Sequence, residues 1–215
     1  MIDTSKKFLV AGAGKSGIGS VNLLLKTGAD VSLYDGNEEL DKEALFEKLY
    51  EKKEISLVLG NITKEDIEKY DLLVLSPGIS VNAPIAQMFY DQEKPVWSEI
   101  ELAYQASKGK IAAITGTNGK TTTTALTGEI MKGYYESSFV VGNIGIPYTS
   151  VALDTQENSV ITAEISSFQL ETIVDFKPDV CAVLNITPDH LDRHGTVEVF
   201  LSRKKNTNDG DKEGL

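Results

Sequence analysis

The sequence predicts an α/β fold: a Rossmann-like N-terminal domain with a parallel sheet, followed by a truncated P-loop α/β ATPase domain. Short runs rich in Val, Ile and Leu alternate with segments of helical periodicity along the chain. This alternation is typical of parallel strands joined by helices. Glycine-rich turns follow two of the apolar runs, at residues 12–17 and 116–119. Such turns lie at the edge where open parallel sheets bind ligands.

Five predicted strands and three predicted helices make up the first unit. The strands are apolar runs bounded by glycine, proline or charged residues, and they cover residues 8–11, 29–35, 55–59, 71–76 and 95–97. The helices carry apolar residues at helical spacing and cover residues 17–27, 41–53 and 83–90. The fourth strand is apolar at consecutive positions, so we expect it to be buried on both faces.

The second unit begins near residue 108 with the strand that leads into the second glycine-rich turn. Further strands are predicted over residues 139–141, 159–164 and 180–185, and a helix over 197–205. We therefore place one domain at residues 1–107 and a second at 108–215. Periodicity and nearly all apolar residues disappear after residue 205, where a domain of this class would continue with another strand. We expect the chain to be a fragment with an incomplete second domain.

Composition restricts the classes of function. The net charge of −11 at pH 7 argues against binding of nucleic acid, which needs clustered Lys and Arg. The single cysteine allows no disulfide within the chain, which is consistent with a reducing compartment. The sequence has no signal-peptide pattern and no apolar run of membrane-spanning length. We expect a cytoplasmic protein that binds neither membrane nor nucleic acid.

Residues 116–123 carry the most specific chemical signal. A strand, a glycine-bounded turn and Lys-Thr at the start of a helix form the arrangement that binds nucleotide phosphates and Mg²⁺. The usual loop has its first glycine six residues before the lysine, but Ile114 stands there, so we predict a shortened loop. The predicted ATP-binding residues are Gly116, Thr117, Asn118, Gly119, Lys120, Thr121 and Thr122.

The first glycine-rich turn, residues 12–17, matches the dinucleotide-binding pattern, and Asp35 ends the second predicted strand. Because this pattern needs only a close backbone approach and a helix N-terminus, any nucleotide diphosphate could bind there. The pattern therefore also permits an NAD-dependent oxidoreductase. A second phosphate loop a hundred residues later is unusual in that class.

Other candidate residues also follow predicted strands. Ser76, Pro77 and Gly78 come after the fourth strand, and Asn143 lies between two glycines. Glu164 ends an apolar strand, where a carboxylate is costly unless it is paired with a cation such as Mg²⁺. The loop after the last predicted strand contributes His190, with Asp189 and Asp192 beside it, as a candidate metal or catalytic group.

Taken together, these motifs resemble the Mur ligases, the ATP-dependent amide-forming enzymes of peptidoglycan synthesis. The resemblance runs in order from Gly12 to about Lys204. The segment Glu164–Glu171 is most similar to the members that add D-glutamate. The short phosphate loop at residues 116–122 is the family's own variant.

The resemblance implies a role for each matching residue. Lys15 and Ser16 would lie near the pyrophosphate of a UDP-linked substrate, Asp35 near its uracil or ribose, and Ser76, Pro77 and Gly78 beside it. Lys120 would bind the β- and γ-phosphates of ATP. Thr121 and Glu164 would bind a first Mg²⁺, and His190 with a carbamylated Lys204 would bind a second. The muramoyl-alanine would be contacted by Asn143, Ser166 and Gln169. Lys205 competes with Lys204 for the carbamylated position.

The implied reaction adds D-glutamate to UDP-N-acetylmuramoyl-L-alanine through an acyl phosphate and uses ATP and two Mg²⁺ ions. The resemblance also implies a monomeric enzyme whose catalytic residues are Lys120, His190 and Lys204. The family has a third domain that contributes the amino-acid site and part of the ATP site, and the resemblance implies that this domain is absent here. We therefore expect substrate binding without full turnover. A non-catalytic UDP-sugar-binding module is the other interpretation, besides the oxidoreductase.

Overall fold

The computed structural model of the chain describes residues 2–143 and 145–187. The first sheet has the strand order β3-β2-β1-β4-β5, and all of its pairings are parallel. Its strands are β1 (Lys7–Ala11), β2 (Asp30–Asp35), β3 (Ser56–Leu59), β4 (Leu72–Leu75) and β5 (Val96–Ser98). The strand order reverses between β1 and β4, which creates a crevice at their carboxyl ends.

The second sheet has the order β7-β8-β6-β9 and is also parallel. Its strands are β6 (Lys110–Thr115), β7 (Ser138–Gly142), β8 (Val160–Glu164) and β9 (Val180–Val183). The helices of the two units are α1 (Lys15–Thr27), α2 (Lys42–Phe46), α3 (Lys64–Ile67), α4 (Pro84–Asp91), α5 (Glu99–Ala106) and α6 (Lys120–Lys132). Short 3₁₀ turns lie at Tyr50–Lys52, Tyr148–Ser150 and Ala152–Asp154.

The predicted α/β fold with parallel sheets is confirmed, but the predicted helix over residues 41–53 is wrong. Only α2 and a 3₁₀ turn form there. Leu49 adopts an extended backbone and buries its side chain, and Glu51 and Lys52 have positive φ angles. The burial of Leu49 therefore ends the helix that the periodicity predicted.

Helix α5 joins the two sheets and was not predicted. Five consecutive residues, Glu99 to Ala103, are buried because both units pack around the helix. The carboxylate of Glu101 accepts hydrogen bonds from the N–H groups of Val174, Asp175 and Phe176 at 2.8–3.1 Å. A helix that is covered on all sides lacks the one-sided apolar pattern by which surface helices are recognised.

A continuous apolar core extends from the first sheet to the second through α1 and α5. Tyr148 is fully buried in it, and its hydroxyl lies 2.6 Å from the Ser107 hydroxyl. The domain boundary predicted at residue 107 falls between α5 and β6 and stays a prediction. The predicted helix over residues 197–205 lies outside the described residues. Across the part of the chain that the structure describes, no helix combines the length and apolarity needed to cross a membrane.

Candidate nucleotide and substrate site

The phosphate loop joins β6 to α6 and leaves the start of the helix open. Gly119 stands at the N-cap with a φ of 83°, a conformation that favours glycine. Because glycine supplies no capping side chain, the first-turn N–H groups of α6 remain available to an anion. The Lys120 ammonium donates to the carbonyl oxygens of Gly116 and Thr117, both at 2.9 Å. The loop therefore places a positive charge beside the helix N-terminus.

The segment after β9 holds the phosphate loop through paired hydrogen bonds. Asn185 acts like a strand backbone: its Oδ1 accepts from Asn118 N, and its Nδ2 donates to Asn118 O, both at 2.9 Å. Thr117 donates its hydroxyl to Thr187 O and accepts from Thr187 N, both at 3.1 Å. A Cβ on Gly116 would lie 3.2 Å from Leu184 Cβ, so a larger residue would crowd this contact. Asn185 was missed in the sequence, because the predicted strand over residues 180–185 included it, whereas β9 ends at Val183.

Replacing Asn185 with alanine is expected to weaken nucleotide binding about tenfold. The substitution removes two hydrogen bonds that hold the loop in its binding conformation. If their loss reduces the binding free energy by about 1.4 kcal/mol, the affinity falls tenfold. Titration with a fluorescent ATP analogue measures the effect. N158A is the matched control, because Asn158 is an exposed asparagine before β8, at the opposite edge of the same sheet. Equal affinity of N185A and N158A would show that the hydrogen bonds do not organise the loop.

Glu164, at the end of β8, brings together residues from three elements. Only 1% of its surface is exposed, and its Oε2 accepts from the Thr121 hydroxyl while its Oε1 accepts from the Asn143 amide, both at 2.9 Å. The backbone N–H of Asn143 also donates to Glu164 O at 2.9 Å. A Cβ on Gly142 would lie 2.1 Å from Glu164 O, so this approach of β7 to β8 requires glycine.

The Thr121–Glu164 pair fits Mg²⁺ in donor chemistry, because a hydroxyl and a carboxylate are both oxygen ligands. In this structure the two groups are joined by a hydrogen bond of 2.9 Å. Within residues 2–143 and 145–187, no three His, Cys, Asp or Glu side chains are clustered to hold a metal. His190 and Lys204, the predicted ligands of a second metal, lie outside the described residues, as do Asp189, Asp192 and Lys205.

The first-sheet cleft lies at the crevice between β1 and β4 and has a volume of about 490 Å³. α1 begins there, with Gly14 at its N-cap, so its first N–H groups lack a capping side chain. A Cβ on Gly17 would lie 1.7 Å from Gly12 O, which shows how closely the helix meets the turn. The predicted residues that line the cleft are Lys15, Ser16, Asp35, Ser76, Pro77, Gly78 and, from the second domain, Asn143.

Asp35 holds the glycine-rich turn from the side. Its two carboxylate oxygens accept from the N–H of Ala13 at 2.8 Å and from the N–H of Asn37 at 2.9 Å. Each oxygen retains a lone pair, so a contact with a ribose or base is compatible with this geometry. Its predicted substrate role stays a prediction.

Ser166 and Gln169 lie after β8, on the side of the second sheet that faces α5. Gln169 is 2% exposed, and its Oε1 accepts from both the N–H and the hydroxyl of Ser166, at 2.7 and 3.0 Å. Its Nε2 donates to Glu99 Oε1 at 2.7 Å. Burial raises the pKa of Glu99 to about 7, although the hydrogen bond from Gln169 acts to lower it. Glu99 was not predicted, because its neighbours come from the other domain.

Comparison with known proteins follows the same division of the chain. Residues 6–98 match the family model of the Mur ligase MurD-like N-terminal domain, and residues 114–209 match that of the Mur ligase middle domain. UDP-N-acetylmuramoylalanine–D-glutamate ligase of Lachnoclostridium phytofermentans is 54% identical over 201 residues, which are 94% of this chain and 44% of that protein. The enzyme of the same name from Lachnospira eligens is 55% identical over the same shares. The chain thus spans less than half the length of these curated relatives.

Solved structures support the fold. UDP-N-acetylmuramate:L-alanyl-gamma-D-glutamyl-meso-diaminopimelate ligase from Neisseria meningitides matches with a TM-score of 0.58 and 17% identity, over 98% of this chain and 70% of that one. UDP-N-acetylmuramate-alanine ligase MurC from Thermotoga maritima matches with a TM-score of 0.55 and 22% identity, over 94% of this chain and 46% of that one. The two family models, which together account for most of the chain, show that it belongs to the Mur ligase family, with a MurD-like N-terminal domain followed by a Mur ligase middle domain.

Proposed function

We propose that this chain supplies the UDP-substrate site and the phosphate-binding site of an ATP-dependent ligase that joins D-glutamate to UDP-N-acetylmuramoyl-L-alanine. The side chain of Asn143 carries the proposal. It lines the first-domain cleft and also donates to Glu164, which accepts from Thr121 at the start of α6. One amide thus connects a cleft for a nucleotide-linked substrate with the phosphate loop. The names of the curated relatives support the same pair of substrates.

The chemistry follows from the charges of the reactants. A carboxylate is a poor electrophile, so its oxygen first attacks the γ-phosphorus of ATP, ADP leaves, and an acyl phosphate forms. The amine of D-glutamate then attacks the acyl carbon, inorganic phosphate leaves, and the amine loses a proton. Both reactants of the first step are anionic, and Lys120 with the N–H groups of α6 offsets their repulsion.

Thr121 and Glu164 would hold one Mg²⁺, and His190 with a carbamylated Lys204 would hold a second. Bound Mg²⁺ neutralises phosphate charge and orients the triphosphate. Lys15 and Ser16, at the start of α1, would contact the pyrophosphate of the UDP-linked substrate. Asn143, Ser166 and Gln169 would position its muramoyl-alanine end. We propose a cytoplasmic protein, because the proposed substrates are water-soluble small molecules, and we propose that it is monomeric.

Replacing Glu164 with glutamine tests the proposed metal and nucleotide site. In the native chain Mg²⁺ is expected to tighten ATP binding at least tenfold. In E164Q this gain is expected to fall below threefold, because an amide oxygen carries no net charge to hold the ion. Titration of a fluorescent ATP analogue with and without Mg²⁺ measures both values.

E129Q is the matched control, because Glu129 is an exposed carboxylate on α6, away from the phosphate loop. It is expected to keep the native dependence on Mg²⁺. An unchanged Mg²⁺ effect in E164Q would contradict the assignment of Glu164 as a metal ligand. Absence of ATP binding by the native chain would contradict the proposed function itself.

A further inference from the structure

A series of hydrogen bonds connects the first domain to the second through Glu99, Gln169 and Ser166. Glu99 begins α5 directly after β5, and only 2% of its surface is exposed. It accepts from Gln169 Nε2, and Gln169 Oε1 in turn accepts from Ser166. A single buried side chain, that of Gln169, therefore separates Glu99 of the first domain from Ser166 of the second.

The two ends of the Gln169 amide differ, since one donates and the other accepts, and this fixes the direction of the series of hydrogen bonds. Glu99 Oε1 accepts from the NH₂ end of Gln169, as an oxygen of an ionised carboxylate must and as the carbonyl oxygen of a protonated one can. The carbonyl end of Gln169 then faces Ser166. Ser166 presents two donors, its N–H and its hydroxyl, to that carbonyl. If the Gln169 amide were reversed, its NH₂ group would face the donors of Ser166, and no hydrogen bond from the Ser166 N–H could form. The acceptor oxygen of Glu99 therefore determines that the carbonyl end of Gln169 faces Ser166.

At Ser166 the series of hydrogen bonds comes next in sequence to the proposed reaction site. Ser166 is two residues after Glu164, and the intervening Ile165 N–H donates to Ile114 O of the strand before the phosphate loop at 2.9 Å. At its other end, the Glu99 side chain lines a cavity of about 10 Å³ together with Ser76, which also lines the first-domain cleft. Among the described residues, neither Glu99 Oε2 nor Ser76 Oγ has a hydrogen-bond partner.

We propose that Glu99 is a positioning residue that orients Gln169, and through it Ser166, and so couples the first-domain cleft to the substrate loop after β8. The orientation itself is a property of the chain without ligand. The statement that Ser166 contacts substrate rests on the proposed function above.

Hydrogen exchange of the Ser166 amide, resolved by NMR, tests the orientation directly. E99A is expected to raise the exchange rate at least tenfold, because Gln169 loses the partner that fixes its carbonyl on this N–H. E99Q keeps an acceptor oxygen and is expected to stay within twofold of the native rate. Q105A is the matched control, since Gln105 lies on the same helix and donates across the same interface to Asp175 at 2.9 Å. It is expected to leave the rate within twofold.

Three outcomes would overturn the proposal: an unchanged rate in E99A, a rate in E99Q as high as in E99A, or equal acceleration in Q105A. Equal acceleration in Q105A would mean that any loosening of the interface has the same effect.

A double variant in which the two side chains are exchanged covers the case in which E99A does not fold. Q169E sets two carboxylates against each other and is expected to accelerate exchange at least tenfold. E99Q/Q169E restores a donor facing an acceptor and is expected to return the rate to within threefold, and failure to do so would also overturn the proposal.

Calorimetric binding of UDP-N-acetylmuramoyl-L-alanine tests the coupling to substrate. E99A is expected to bind about tenfold more weakly than the native chain, and E99Q within threefold of it. Native affinity in E99A would overturn the coupling. If the native chain bound no UDP-substrate, the proposed function would fail, while the exchange rates would still decide the role of Glu99.

Discussion

Replacing Lys120 with methionine is expected to lower the affinity for ATP with Mg²⁺ by 50- to 100-fold. Methionine keeps the length of the side chain but removes its charge, and charge-assisted hydrogen bonds to phosphate contribute on the order of 2–3 kcal/mol. The ammonium also donates to the carbonyls of Gly116 and Thr117, so its loss removes two contacts within the loop. Equilibrium titration with a fluorescent ATP analogue gives the affinity.

K132M is the matched control for this prediction. Lys132 lies at the other end of the same helix, where it pairs with Glu129, and its side chain is 53% exposed. It is expected to bind the nucleotide within twofold of the native chain. Binding by K120M within threefold of native would show that ATP phosphates do not lie at this loop.

Replacing Glu99 with glutamine is expected to stabilise the protein above pH 7 by on the order of 3 kcal/mol. Burial raises the pKa of Glu99 from its ordinary 4.5 to about 7 in the folded chain. Between these two values the folded state binds a proton that the unfolded state has lost, so the native free energy of unfolding falls as pH rises. A difference of about 2.5 pKa units corresponds to roughly 3 kcal/mol. Glutamine carries no proton to lose and escapes this decline.

The difference in the free energy of unfolding between E99Q and the native chain is therefore expected to be near zero at pH 4.5. It should grow through pH 6 and level off above about pH 7. Urea denaturation followed by the fluorescence of Trp97 measures it, since this single tryptophan lies two residues before Glu99. E54Q, at an exposed glutamate, serves as control and should show no such rise. A constant difference across this range would mean that Glu99 is not protonated on folding.

The strand, turn and helix around Lys120 could be predicted from the sequence, because their signals are local, whereas the binding of phosphate by this turn stays a prediction. A glycine-bounded turn between a strand and a helix fixes the position of Lys120 by itself. Glu164 was recognisable because a carboxylate at the end of an apolar strand needs polar partners. The structure supplies neutral partners in Thr121 and Asn143. The resemblance to the Mur ligases, which was based on the same motifs, is confirmed by the family models.

Contacts between the domains could not be predicted in the same way. Glu99 and Gln169 meet across 70 residues of sequence, and each alone looks like an ordinary polar residue. Helix α5 lacks an exposed face and therefore a periodic pattern, and Leu49 ends a helix because of what it packs against. In each case the deciding interaction is tertiary. Site roles that depend on His190 and Lys204 stay predictions, since both residues lie outside the described part of the chain.

We expect the first-domain cleft to bind a UDP-linked substrate and the phosphate loop to bind ATP. Calorimetric titration of the native chain with UDP-N-acetylmuramoyl-L-alanine, with NADH as the competing ligand, tests this expectation most directly. We expect one molecule of the UDP-substrate to bind per chain with a Kd below about 100 μM, equivalent to roughly 5.5 kcal/mol. K120M should retain this affinity, and NADH should give no binding heat. Binding of NADH without binding of the UDP-substrate would contradict the account.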